Sequence, residues 1–446
     1  MCFVPMVLFP VRPFKKGMTV VIKIYIMKSI VFLIAVFLTG KLISAQTLKL
    51  GVILDSIAAS HPSVKMYEAE IKSMDAAAKG ARSWMPPEVS TGLWMVPYNI
   101  DRWKKMDDGM GGTKEGMGQY MVGGQQMFPS KKKQNADAAY MEAMSSVEKE
   151  KKNATLNELY AEAKKNYYEW TISKRKLGVI AENEKVLDFM IKNAEIRYRN
   201  GLEKISAYYK AKAALARLQN MRLMMENDIR QKQIALNTLM NRDRLAAFDI
   251  DTTYYVKNYS ARVFDSSAFI SSRSDLKAID RDIDLTYLKQ QTEKQSLRPQ
   301  FGIRYEHMFG FGGLPMQYSL MGMVKLPIAK WSSRMNKANI ESLKWKAQSL
   351  QQQKQMMINE YSGMAYGMRT EIELKQKQLS LYENNIIPAL RNNYKTMQLG
   401  YEQNTEELFM LYDAWETLNM TQLEYLEQLQ QLLMMQVQLE KILEIK

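Results

Sequence analysis

The sequence predicts a mainly helical chain with a membrane β part, built from two structural repeats. Apolar residues recur at three- and four-residue steps over long stretches, which indicates coiled-coil helices. Two pairs of short segments instead alternate apolar and polar residues, as β-strands do. The turn sequence Tyr198-Arg-Asn-Gly201 recurs as Tyr401-Glu-Gln-Asn404, each between long helical segments. A repeated turn of this kind indicates a chain of two similar halves.

The first 45 residues predict a signal peptide. They contain six basic residues and no acidic one, and a short apolar run follows Met27 and Lys28. The run is shorter than the roughly 20 residues that a membrane-spanning helix requires. Small residues at Ser44 and Ala45 favour cleavage before Gln46. We therefore expect secretion rather than a membrane anchor, with Met27 as the true start of translation.

The first repeat is expected to consist of a helix, two strands and a long helical hairpin. Its elements are a helix at 48–84, strands at 88–96 and 118–128 around a solvated loop at 99–116, and helices at 131–196 and 205–240. Pro62 fits the first turn of a helix, and Pro86 ends the helical segment before the first strand. Gly201 joins the two long helices, since glycine tolerates the left-handed conformation that ends a helix.

The second repeat is expected to follow the same order. Its elements are a helix at 275–296, strands at 301–309 and 318–326, a long helix at 331–399, a turn at Asn404 and a last helix towards residue 446. Pro299 precedes its strands as Pro86 precedes the first pair. We expect the following organisation: signal peptide 1–45, first repeat 46–241, irregular equatorial connection 242–274 and second repeat 275–446.

Four strands of this kind pose a problem of closure. Strands of about ten residues with one apolar and one polar face are typical of transmembrane barrels. Four strands cannot close a barrel, because small examples need about eight, and open edges are not tolerated in lipid. The sequence therefore predicts a homotrimer with a 12-stranded outer-membrane β-barrel joined to a trimeric α-helical coiled-coil barrel. The alternative is a soluble helical protein with two surface hairpins, which the signal peptide and the alternating aromatic residues oppose.

Composition argues against several classes of function. The formal net charge is +15, but basic residues alternate with acidic ones along the helices, which indicates solvated faces rather than a nucleic-acid surface. The only cysteine, Cys2, lies in the segment expected to be removed, so disulfides and cysteine-ligated zinc are excluded. His61 and His307 are the only histidines, and neither forms a catalytic pair with a nucleophile. We expect no enzyme activity, no catalytic residue and no cofactor.

Several short segments match, in order, the pattern of one known family. They are Pro86, Leu236 to Asp243, Pro299-Gln-Phe-Gly-Ile303, Leu326-Pro327-Ile328, Asn385-Ile-Ile-Pro388 and the two turns. By their order, spacing and duplication, residues 46–446 resemble the TolC-like outer-membrane efflux proteins. The resemblance implies a trimer that lies in the outer membrane of a Gram-negative bacterium and extends into the periplasm. It also implies two partners, a periplasmic adaptor (membrane fusion protein) and an inner-membrane pump of the RND type.

The resemblance further implies two sites at the helical tips. The periplasmic gate would comprise Tyr401, Met410 and Asp413. The adaptor-docking residues would be Gly201, Leu202, Ser206, Asn404, Thr405 and Glu406. The chain departs from the family pattern, because Asn404 replaces glycine, Met410 replaces an acid and Glu406 stands where some relatives have a basic residue. In a trimer, Asp413 would form a ring of three carboxylates that attracts cations; the alternative is that it faces water or a neighbouring lysine.

Methionine is abundant, with 34 in the chain. Thioethers are soft ligands that suit Cu(I) or Ag(I), although methionine also fills irregular cores. The candidates for a metal-lining role are Met308, Met321 and Met323 on the less apolar face of the second hairpin, and Met410 at the constriction. Met106, Met110, Met117 and Met121 cluster around the first loop.

The expected function is a passive exit duct of a tripartite efflux pump. On methionine placement we expect soft metal cations such as Cu(I) or Ag(I) as substrates, and hence a role in heavy-metal resistance. The first alternative is a drug, small-molecule or type I secretion exit duct of the same fold. The second is a periplasmic coiled-coil adaptor or scaffold without a pore, which the absence of a lipoyl-like or barrel domain between the helical arms opposes.

Overall fold

The computed structural model describes residues 47–259 and 266–446. The signal peptide predicted at 1–45 and the start at Met27 lie outside the described residues. The helices are α1 Leu50–Ser60, α2 Pro62–Lys79, α3 Lys131–Arg199, α4 Ile205–Leu239, α5 Ser266–Ser272, α6 Ser274–Ser296, α7 Lys330–Leu381, α8 Ile387–Glu402 and α9 Leu408–Leu443. Among the described residues, no helix combines the length and apolar composition needed to cross a membrane.

The strands form one sheet of four and two small pairs. They are β1 Thr47–Leu48, β2 Glu88–Trp94, β3 Met106–Asp107, β4 Thr113–Lys114, β5 Gln119–Phe128, β6 Asp249–Ile250, β7 Gln300–Gly310 and β8 Gln317–Lys325. The large sheet is antiparallel, in the order β2-β5-β7-β8. The two hairpins, one from each half of the chain, therefore join through β5 and β7. β2 and β8 each have one edge with no strand partner in the described protomer.

The strand register divides the large sheet into two faces. His307 pairs with Val122 on one side and Tyr318 on the other, and Tyr305 pairs with Leu320. Because side chains alternate along a strand, these residues share one face. This apolar face carries Val89, Leu93, Tyr120, Val122, Phe301, Ile303, Tyr305, Phe309, Tyr318, Leu320 and Val324, all exposed. The opposite, polar face carries Arg304, Glu306 and several methionines, as the alternation predicted.

The helices pack side by side, because each long helix buries one face against its neighbours. α3 packs against α4, α6 and α9, and α9 packs in turn against α7 and α8. The helix starts follow local chemistry. The Lys133 N–H donates to Ser130 Oγ (3.2 Å) at the start of α3, and the Ser63 N–H donates to His61 Nδ1 (3.2 Å) before α2. Such contacts satisfy amide groups that have no partner within the helix.

The loop at 99–116 is largely exposed, as the sequence predicts, but it also has short regular elements and a packed contact that were not predicted. It contains a 3₁₀ turn at Ile100–Trp103 and the β3–β4 pair. The Trp103 ring stacks on Phe311 at 5.2 Å between centroids, and the Gly116 N–H donates to the Gly312 carbonyl at 2.8 Å. A Cβ at Gly116 would lie 2.9 Å from Gly312 Cα, so glycine permits this approach. The sequence did not indicate this contact because the packing partner lies about 200 residues away.

The single helix predicted at 331–399 is interrupted. A π-helical turn at Tyr382–Ile386 separates α7 from α8. Pro388 follows at the start of α8 and has no N–H to donate back to the preceding turn. A widened turn is a common response to such a lost bond. The two halves otherwise show the same order of elements, while the bounds of the repeats and of the connection at 242–274 stay predictions.

Candidate functional site

The two helical tips have the same backbone turn. Gly201 has φ of 71° and Asn404 has φ of 60°, both in the left-handed region. The Leu202 N–H donates to the Arg197 carbonyl (2.8 Å), and the Thr405 N–H donates in the same way to the Gly400 carbonyl (2.8 Å). These bonds close the ends of α3 and α8 in the manner of a left-handed helix cap. Asn404 thus takes the place of glycine, since asparagine enters this region more readily than most residues.

Gly201→Ala tests the first tip. We expect it to destabilise the tip by about 1–2 kcal/mol, because a Cβ disfavours the left-handed conformation by that amount. Local stability at the tip can be measured by amide hydrogen exchange. Gly178→Ala is the matched control, since Gly178 lies within α3 and a Cβ there would meet no atom within 4 Å. The control should stabilise the helix slightly; an equal loss in both variants would contradict the assigned turn.

Tyr401 lies in the core of the tip, whereas the other predicted gate residues, Met410 and Asp413, are exposed. Its side chain is 3% exposed, and Arg197 stacks over its ring at 4.4 Å. Arg197 Nη1 also donates to the Tyr401 carbonyl at 3.1 Å, which ties the first tip to the second. Burial raises the pKa of the Tyr401 hydroxyl, and Arg197 opposes this effect. Tyr401 therefore lies between the two helical hairpins and connects them through its contacts with Arg197.

Met410 and Asp413 lie together on the exposed face of α9. They are one helical turn apart, and positions i and i+3 of a helix are neighbours on its surface. Phe409 and Met420 extend the same exposed face. Leu411 and Trp415 lie on the opposite, buried face. No described cation lies within 4 Å of the Asp413 carboxylate, so the protomer leaves this charge open to solvent.

The predicted docking residues all lie at the two tips. Gly201, Leu202, Ser206, Asn404 and Thr405 are exposed, and Glu406 is partly buried. Thr405 Oγ1 donates to the Gly400 carbonyl (3.0 Å). Glu406 packs over Gly400, where an added Cβ would lie 2.5 Å from Glu406 Cγ. Their role in docking stays a prediction, and so does the gate.

The polar face of the sheet brings five methionines together on one side. Met308, Met321 and Met323 share this face with Met121 and Met127. Met121 pairs directly with Met308, and Gly302 lies between Met127 and Met323. Sequence reasoning missed Met127, although the two-residue alternation from Met121 already places it on this face.

The charged groups in the middle of the polar face form an ion pair. Arg304 forms an ion pair with Glu306, and Ser319 Oγ donates to Glu306 Oε2 at 3.2 Å. Within residues 47–259 and 266–446, no three or more histidine, cysteine, aspartate or glutamate side chains form a group that could hold a metal ion. Of the described groups on this face, the thioethers are the ones chemically suited to a soft cation.

Comparisons with known proteins identify the class of fold. The outer membrane protein VceC of Vibrio cholerae has a TM-score of 0.69 and 15% identity, over 88% of this chain and 95% of that one. A membrane protein of Pseudomonas aeruginosa gives 0.70 and 13%, over 88% and 92%. The open-state outer membrane channel MtrE of Neisseria gonorrhoeae gives 0.66 and 14%, over 88% and 88%. At these identities the likeness shows the fold.

One family model matches part of the sequence itself. Residues 53–242 match the model of the outer membrane efflux protein family, whereas curated proteins give no significant match. The resemblance to TolC-like outer-membrane efflux proteins is therefore confirmed, by the family match over the first half and by the fold over most of the chain. The family match and the fold support the predicted outer-membrane location and, as the general activity, efflux through a channel.

Proposed function

We propose that three copies of this chain form the exit duct of a tripartite efflux system. The free edges of β2 and β8 support this, because unpaired strand edges are not tolerated in lipid and a neighbouring copy can pair with each. The helices α4 and α7 also expose apolar residues, among them Leu223, Met224 and Met356, as subunit contacts require. The exposed tips would meet the adaptor, and through it a pump of the RND type, which supplies the energy.

The proposed substrates are soft cations such as Cu(I) and Ag(I). The observation that carries this proposal is the segregation of five methionines onto the polar face of the sheet, opposite the apolar face that lipid would contact. A thioether does little for solubility on a water-facing surface, but it is a good ligand for soft cations. Met410 next to Asp413 would add a soft ligand and a negative charge at the narrow end of the duct.

One observation favours an organic substrate as a second candidate. A cavity of about 370 Å³ lies between α3, α4 and α9 near the tips. It is lined by Trp415, Tyr412, Met221 and Met225, by the carboxylates of Glu416, Glu424 and Glu427, and by the basic side chains of Lys176 and Arg217. Apolar walls with a few charged groups are typical of small-molecule sites. The acidic groups outnumber the basic ones, so an apolar organic cation would fit this chemistry.

A deletion strain distinguishes the two candidates. It should be challenged with silver, copper and a panel of detergents and cationic dyes, with the intact gene restored as the control. Lost metal tolerance with unchanged detergent and dye tolerance supports soft cations. Unchanged metal tolerance with lost detergent or dye tolerance refutes them in favour of the second candidate. Conductance in planar bilayers tests the duct itself, because an adaptor without a pore gives no channels.

Asp413→Asn tests the proposed carboxylate ring. The substitution keeps the shape of the side chain and removes three negative charges per trimer, so we expect weaker cation selectivity. The measurement is the reversal potential of single channels in a salt gradient, which should move towards zero. Glu407→Gln is the matched control, because Glu407 is an exposed acid two turns away at the tip. An unchanged reversal potential for Asp413→Asn would exclude the ring.

A further inference from the structure

We infer that Met127 and Met323 form a binding site for a monovalent soft cation, Cu(I) or Ag(I), across Gly302. The two side chains come from β5 and β8, which flank β7 in the sheet. The site lies at the end of the sheet next to the helices, since β5 ends at Phe128 and α3 begins at Lys131. The choice of cation rests on the proposed function, whereas the site itself rests on the geometry that follows.

Gly302 provides the space in which the two thioethers converge. Its backbone pairs with Met127 on one side and Met323 on the other. A Cβ at Gly302 would clash with Met127 Sδ and would lie 3.2 Å from Met323 Cε. Both methionine side chains therefore fold over the glycine from opposite sides. Both residues are partly buried and lie on the polar face.

The charges around the site disfavour hard cations. Arg304 follows two residues after Gly302 and Lys325 two residues after Met323, and alternation places both on the polar face. The carboxylate of Glu306 is held by Arg304 and Ser319, so it is not free to bind a hard ion. Hard cations such as Mg²⁺ prefer oxygen ligands, which two thioethers do not offer, and Lys325 would also repel them. A soft cation gains bonds to two sulfur atoms that offset the repulsion by Lys325.

The strand pairing distinguishes this site from general methionine enrichment. Met121 and Met308 also face each other, six residues further along β5 and β7 and so about 20 Å away. That pair adjoins Gly92 and Gln317, with no glycine between its two members. Of these two methionine pairs, only Met127 and Met323 pack over a glycine that lies between them. Gly302 can therefore be tested as part of the site.

The test is Ag(I) titration of the detergent-solubilised protein in nitrate buffer free of chloride and thiols. The double variant M127L/M323L keeps side-chain volume and should lose one bound Ag(I) per chain. The matched control is M66L/M335L, since Met66 and Met335 are exposed residues on α2 and α7; it should bind as the unchanged protein does. Retained binding in M127L/M323L, or an equal loss in the control, would overturn the site.

Gly302→Ala provides a second, independent test. It keeps both sulfur atoms but forces them apart. The affinity of this site for Ag(I) should therefore fall about 10- to 100-fold, which is the usual loss when residues that support metal ligands are changed. An unchanged affinity would contradict the geometry. X-ray absorption of bound silver should show sulfur neighbours in the control variant and their loss in M127L/M323L. If the site binds silver but the deletion strain keeps its metal tolerance, the proposed substrate fails and the site stands.

Discussion

Glu440→Ala is expected to destabilise the chain by about 3–5 kcal/mol, the usual cost of removing one partner of a buried ion pair. Lys164 of α3 and Glu440 of α9 are each 4% exposed, and Lys164 Nζ lies 2.6 Å from Glu440 Oε2. Glu440 also accepts from the Tyr259 hydroxyl (3.0 Å) and pairs with Lys257. After truncation, the buried Lys164 ammonium would keep the Ile445 carbonyl (2.9 Å) as its described acceptor.

The measurement is the urea midpoint of the detergent-solubilised protein, followed by far-UV circular dichroism. The double variant K164M/E440L should regain much of the loss, because replacing both charges with apolar groups removes the unpaired ammonium. Glu142→Ala is the surface control, since Arg82 and Glu142 form an exposed pair (62% and 53%) that contributes little. Similar losses for Glu440→Ala and Glu142→Ala would contradict the buried network.

The same network predicts how stability changes with pH. Burial alone would raise the pKa of Glu440, but hydrogen bonds from Lys164 and Lys257 outweigh it and hold the pKa below the ordinary value of 4.5. A folded-state pKa below the unfolded one stabilises the protein above that ordinary value. This stabilisation is lost as the pH falls below 4.5 and through the folded-state pKa. Glu440→Gln should flatten the acid limb of the stability profile; an unchanged limb would argue against this linkage.

Trp415→Ala is the second large effect that we expect, also about 3–5 kcal/mol, because a buried aromatic ring leaves a cavity. Trp415 is 4% exposed and packs against Tyr412, with ring centroids 5.4 Å apart. Its Nε1 donates to Asn183 Oδ1 at 2.7 Å, which joins α9 to α3. Because Trp415 lies two residues after Asp413 on the buried side of α9, its loss should also loosen the exposed face at the proposed gate.

Two measurements separate the structural and functional consequences. The urea midpoint reports the stability, and the closed-state leak of the reconstituted channel reports the gate. Trp415→Phe is the control within the same position, because it keeps an aromatic ring but removes the donor to Asn183, and it should cost less than the truncation. A Trp415→Ala protein with lowered stability and unchanged leak would show that this core does not hold the gate.

Local patterns predicted the parts of the fold that depend on neighbouring residues. The alternation from Phe301 to Phe309 predicted both the strand and its two faces, because side chains of a strand alternate by geometry. Gly201 and Asn404 predicted the tips, because few residues enter the left-handed region. The π turn at 382–386 was missed, since one extra residue changes an apolar period too little to be noticed in a long helix.

Contacts between distant segments could not be predicted in this way. Lys164 lies in a helix rich in lysine and glutamate, where a solvated face is the usual expectation, and Glu440 is 276 residues away. Tyr401 illustrates the same limit at the candidate site, because a tyrosine fits a gate or a core equally well by sequence. The burial of its side chain and the position of Arg197 against its ring place it in the core of the tip, and its role in the gate stays a prediction. Likewise, the role proposed for Gly302 depends on the strands that pair on either side of it, and the sequence around Gly302 does not show that pairing.

The two free edges of the four-stranded sheet have a genetic consequence. In the proposed trimer every subunit pairs its edge strands with both neighbours. A copy that folds but cannot pair at β2 or β8 therefore prevents the barrel of the whole trimer from closing. When normal and damaged copies are made in equal amounts and mix at random, about one assembly in eight contains only normal subunits. Mutations at these edges should therefore behave as dominant in a cell that carries both alleles, whereas a null allele should be recessive.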